Sequence, residues 1–163
     1  MIAEAYILIT IALIAAIFVG FATLCFVIQK DSADALRLLF LRSVADLGLA
    51  SMFGSIAPLL ANRLIGDEAL GWRISAGIAL VVWGISWFGV SKTYWKSGVA
   101  ASFTGNLFSP DHMINIAGLL ILASIVILHP SFSGTLYAIA MLLLLIFTAG
   151  SFVGRAFARN TKK

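Results

Sequence analysis

Charge is what this sequence has least of. Of 163 residues only 11% are Asp, Glu, Lys or Arg, while 61% are hydrophobic. Soluble domains sit near 25% charged and 45–50% apolar. A soluble fold with this composition would lack the polar side chains to cover itself, so most side chains must face lipid or one another. Cysteine is limited to Cys25, which excludes an intrachain disulfide and says nothing of compartment. Inside an apolar run it reads as a small buried hydrophobe rather than a reactive thiol. Acids are equally sparse: Glu4, Asp31, Asp34, Asp46, Asp67, Glu68 and Asp111, mostly at the ends of apolar runs. No HExxH, GxSxG or glycine-rich phosphate loop occurs, so there is little from which to build an active site. His112 and His129 are separated by about 25 Å on one helix, and no Cys, Asp or Glu cluster supplies further ligands. Neither a metal nor a cofactor is expected. The basic residues give a net charge of +4, but they stand singly between apolar runs. That scatter encodes orientation in a bilayer and argues against a nucleic-acid partner.

What is present is a series of apolar runs, read as one all-α transmembrane domain of five helices with spans at about 5–28, 38–61, 72–91, 111–128 and 133–154. The first is uncharged from Ala5 to Ile28, long enough to cross a hydrocarbon core of about 30 Å. It lacks a basic n-region and is too long for a signal-peptide h-region, so it reads as a retained membrane helix. Ala33 to Leu41, with Arg37 among leucines, reads as a piece lying at the interface before the second helix dives. Asn62 to Gly71 reads as a polar link and Lys92 to Ser109 as the longest connector. In the third span Trp72 at one end and Tyr94 and Trp95 at the other match two interfacial aromatic belts, with Trp83 and Trp87 facing lipid. Ser109-Pro110-Asp111 is a helix start, and His129-Pro130 a helix stop.

Basic residues set the orientation. With five crossings, Lys30, Arg37, Arg42, Lys92, Lys96, Arg155, Arg159, Lys162 and Lys163 share one side, and Arg63 and Arg73 the other. If the second stretch does not cross, the two sides become nearly equal. The positive-inside rule favours the asymmetric count: N-terminus outside, C-terminus cytoplasmic.

The second span, from Leu38 to Arg63, carries the polar groups that need a reason. Arg42 and Asp46 are one helical turn apart and can pair. The pair is either a local lock on helix depth or a water-facing acid that attracts cations. Ser43, Asp46, Ala50, Gly54, Ala57 and Ala61 recur at spacings of three and four, a stripe that either packs another helix or lines a pore. Pro58 frees a backbone carbonyl. Close-packing seams are expected at Gly77, Gly84 and Ser91, and at the GxxxG pair Gly150 and Gly154. His112 and Asn115 share a face at the start of the fourth helix and are candidates for a pore mouth.

Gly20-Phe21, LRLLFLRS and SIAPLLANRLIGDEALGWRIS together resemble a pattern of small polytopic bacterial inner-membrane proteins with no assigned function. In these a glycine-phenylalanine helix precedes a basic linker, a proline-containing helix and a Trp-Arg-Ile start to the next. The resemblance implies a multi-pass protein of the bacterial inner membrane and carries over no catalytic residue. The expected function is a homo-oligomeric channel or pore with the second helix near its axis. The alternative is a non-catalytic accessory subunit or membrane anchor, whose seams meet other membrane subunits.

Overall fold

Lipid offers the backbone no hydrogen-bond partners, so an unbroken apolar run that crosses it must pair its own N–H and C=O groups as helix. The computed structural model describes residues 2–29, 35–96, 110–128 and 131–157, and those residues are helical throughout apart from short turns. The five helices are α1 (Ile2–Gln29), α2 (Ala35–Ile65), α3 (Glu68–Lys96), α4 (Pro110–Leu128) and α5 (Ser133–Phe157). Four of them, α1, α2, α3 and α5, are long and apolar enough to span a membrane, and α4 holds a shorter apolar stretch, Met113–Leu128.

Three connections differ from the sequence reading. The stretch expected to lie at the interface before the second span is, from Ala35 onward, the first turns of one continuous α2. Its leucines and Arg37 are strong helix formers with nothing to break them. The polar link shrinks to Gly66 and Asp67. Gly66 adopts φ 72°, the left-handed C′ position that ends many helices, and its N–H donates to Asn62 O at 3.2 Å. Asp67 then caps α3, its Oδ1 accepting from Leu70 N at 3.1 Å, as an N-cap carboxylate does. Gly71 packs so closely on Asn62 that a Cβ there would collide with the amide, which clamps the hairpin. At its other end α3 runs on to Lys96, beyond the expected span.

The helix at the centre is α5. It touches each of the other four, while α1, α2, α3 and α4 pack in chain order around it. Among the described residues α1 makes no contact with α3 or α4, and α2 makes none with α4. The core accordingly collects Tyr137, Ala138, Ala140, Met141, Leu144 and Leu145 from α5, with Leu8 and Ala15 of α1, Leu47 of α2, Trp72 and Trp83 of α3, and Leu122 and Ile125 of α4. Small residues set the close approaches. A Cβ on Gly48 would fall 2.6 Å from Val19 of α1, one on Gly118 of α4 would enter the Trp83 ring, and one on Gly134 would sit 2.9 Å from Trp72.

Both tryptophans depart from expectation. Trp83 is 1% exposed rather than lipid-facing, because its indole N–H donates to Asn115 Oδ1 at 2.8 Å and Gly118 leaves room for its ring. Trp72, expected in an interfacial belt, is buried against Tyr137 with ring centroids 5.7 Å apart. Its N–H reaches Glu68 at 3.2 Å. A buried indole donor needs a partner, and each ring is positioned by one.

Candidate functional site

A proline and a helix end organise the polar chemistry of this bundle. A proline has no N–H, so the carbonyl four residues upstream loses its helical donor. Pro58 does this to Gly54, and the freed carbonyl accepts from the Tyr137 hydroxyl of α5 at 2.7 Å. The Val126 carbonyl, in the last turn of α4 where helical donors run out, accepts from Arg73 Nε of α3 at 2.9 Å. Each carbonyl left without a helical donor is met by a side chain from another helix. Tyr137 thereby ties α5 to the middle of α2, beside the polar stripe.

That stripe lines a groove. Between α2, α3 and α5 lies a cavity of about 770 Å³, within the usual range of ligand sites. From α2 it takes Arg42, Ser43, Asp46, Leu49, Ala50, Phe53, Gly54 and Ala57. From α3 it takes Ser75, Ile78, Ala79, Val82, Trp83 and Ser86, and from α5 Tyr137, Met141 and Leu144. Small residues make the hollow: Ala50, Gly54, Ala57 and Ala79 leave space that larger side chains would fill. Gly54 also allows the closest approach to α5, since a Cβ there would meet Met141 Sδ at 2.9 Å. Leu49, Phe53, Ile78 and Val82 are exposed on the helix flanks, so the groove opens sideways rather than at the ends of the bundle.

Its polarity is uneven. Arg42 and Asp46 stand at the end where α2 begins, with side chains 75% and 53% exposed and Nε 3.9 Å from Oδ2. An exposed pair at that distance is loose and contributes about 0–1 kcal/mol. Both groups keep hydrogen-bonding capacity to spare. Beyond them the walls are mainly aliphatic and aromatic. Ser75 is one polar exception: the residue is 1% exposed and its Oγ has no hydrogen-bond partner among the described residues. An unpaired buried hydroxyl costs about 1–3 kcal/mol, so this end of the groove offers a donor and an acceptor to whatever enters.

No protein-family model matches the chain, and neither a curated protein nor a solved structure does.

The other expected site residues fall elsewhere. Asn115, a candidate for a pore mouth, is fully buried in its bond to Trp83; an amide in an apolar helix is held where an indole can satisfy it. Gly77, Gly84 and Gly150 have nothing within 4 Å of an added Cβ among the described residues, and among these they form no seam. The close contacts are made instead by Gly48, Gly54, Gly71, Gly118 and Gly134. Ser91, His112 and Gly154 belong to α3, α4 and α5, with their side-chain surroundings outside the described residues. Among the described residues no group of three or more His, Cys, Asp or Glu is placed to hold a metal ion. Sequence reasoning missed Tyr137, Ser75 and Met141 as site residues. Only Tyr137 carried a signal, being a tyrosine within an apolar run.

Proposed function

We propose that this is a multi-pass protein of the bacterial inner membrane whose α2–α3–α5 groove holds an amphiphilic molecule drawn from the bilayer. In this reading all five helices cross, with the N-terminus outside and the C-terminus in the cytoplasm, as the distribution of Lys and Arg favours. The observation that carries it is the form of the groove: about 770 Å³, open on the helix flanks, mainly apolar, with charge at one end only. Ligand sites are typically concave and apolar with a few polar groups that set orientation. In this reading Arg42 and Asp46, on the early turns of α2, lie towards the head groups and the apolar walls lie along the acyl chains.

The pore expected from sequence draws less support. An ion path needs a polar lining, and past Asp46 the stripe is bordered by Leu49, Phe53, Ile78 and Val82. Self-association is a second reading with its own observation. Gly77, Gly84 and Gly150 leave backbone open on the outside of the bundle, where a second helix can approach closely. An accessory subunit would place unlike partners on those faces. Mass measurement in mild detergent separates the two, since a homo-oligomer has an integer multiple of the chain mass.

The groove is tested by tryptophan quenching with bromine-labelled acyl chains. The part of the quenching that disappears in Trp83→Phe reports on the groove wall. It is expected in the wild type and strongly reduced in Ala50→Phe, where the added ring fills the hollow. Equal quenching in both proteins counts against the reading.

A further inference from the structure

Arg42 and Asp46 are opposite charges at one end of an otherwise apolar groove, and their arrangement carries information about what the groove takes. They lie one turn apart on α2, about 6 Å of helical rise. They face the same cavity with Ser43 between them. Both side chains are more than half exposed and their mutual contact is 3.9 Å, so neither is used up by the other. A guanidinium offers five N–H donors in a planar fork suited to phosphate. A carboxylate offers only acceptors and suits an ammonium group. A purely anionic head would satisfy Arg42 and meet Asp46 as a like charge; a purely cationic head would do the reverse.

We infer that the occupant is an amphiphile whose head group carries both a phosphate and a primary ammonium. Its head group lies across the pair, phosphate on Arg42 and ammonium on Asp46, whose facing atoms are 3.9 Å apart, and its chain runs along Phe53, Val82 and Met141. This rests on the proposed groove function and specifies it further. A quaternary ammonium carries the same charge but has no N–H to donate, so it pairs with Asp46 less well. A glycerol head leaves Asp46 with no cation. The order of preference follows from these contacts: phosphoethanolamine, then phosphocholine, then phosphoglycerol.

The test is native mass spectrometry of the full chain. The protein is released from mild detergent and titrated with phosphatidylethanolamine, phosphatidylcholine and phosphatidylglycerol that share the same acyl chains. The wild type is expected to bind the ethanolamine lipid about three- to tenfold more tightly than the glycerol lipid, the scale of one ordinary hydrogen bond, since the site is open to solvent. Asp46→Asn should bring the three lipids close together, and Arg42→Gln should weaken all three. Both positions are exposed, so neither change threatens the fold. Equal binding of the three lipids by the wild type overturns the head-group assignment and leaves the groove standing. So does a preference for the glycerol lipid, or an ethanolamine preference that survives Asp46→Asn. If no lipid binds and bromine-labelled chains leave Trp83 unquenched, the groove reading itself fails. A dimer mass free of lipid assigns the groove to a second copy of the chain and overturns the inference.

Discussion

At the scale of single residues, the bundle is held by a few polar contacts that answer gaps in the backbone ladder. The Tyr137 hydroxyl meets the Gly54 carbonyl at 2.7 Å because Pro58 cannot. Tyr137→Phe should therefore destabilise the fold by about 1–3 kcal/mol, the cost of leaving a buried acceptor unmade. The change should appear as a lower unfolding midpoint in detergent. Pro58→Ala restores an N–H at the position the helix expects, so the loss should shrink when both changes are combined. A double-mutant cycle with no coupling would contradict the assignment. Half of this pair was legible in the sequence: Pro58 announces a freed carbonyl, but nothing local says that the donor lies 83 positions later. The Trp83–Asn115 bond was hidden for the same reason. An asparagine in an apolar helix signals a partner, but four tryptophans leave its identity open. Trp83→Phe should lower stability by a similar amount, and near-ultraviolet circular dichroism should lose the band of a fixed indole.

At the scale of elements, helix number and helix ends follow closely from apolar runs, glycine, proline and N-cap acids. The helices themselves reach past the expected spans, since the chain stays helical at Ala35–Leu41 and at Lys92–Lys96. What the runs do not reveal is which helix is central. In water an apolar stripe marks the buried face of a helix. In lipid the outer face is apolar as well, so the pattern flattens and cannot single out α5. The proline-bearing α2 draws notice because polarity is rare, yet α5 is the helix that touches all the others. Glycine shows the same limit. GxxxG and heptad glycines pointed to Gly77, Gly84 and Gly150, whereas the chain packs at Gly48, Gly71 and Gly118. Gly118→Ala should cost about 1–3 kcal/mol, because the added methyl enters the Trp83 ring. Gly77→Ala should raise monomer stability by up to about 1 kcal/mol through backbone entropy. Unfolding of both variants in one detergent checks the contrast. If Gly77→Ala instead lowers the oligomeric mass, the outward glycines serve self-association.

At the scale of the whole molecule, four peripheral helices packed in sequence around α5 leave the meeting of α2, α3 and α5 underfilled. The hollow arises because α2 presents Ala50, Gly54 and Ala57 where larger residues would close it. The stripe was legible as a line of small residues on one face, but its surroundings were not, since they depend on α3 and α5. Its role is now specific: a wall of a flank-opening groove with charge at one end. Photo-crosslinking tests this most directly. The protein is reconstituted with a lipid bearing a diazirine in its acyl chain, irradiated, digested and mapped by mass spectrometry. Adducts are expected on Ala79 and Met141, which are 8% and 1% exposed and out of reach of the surrounding bilayer unless a chain enters the groove. Ala50→Phe should remove those adducts alone. Adducts confined to outward residues such as Ile17, Ile85 and Ile127, with none on Ala79 or Met141, would contradict the account.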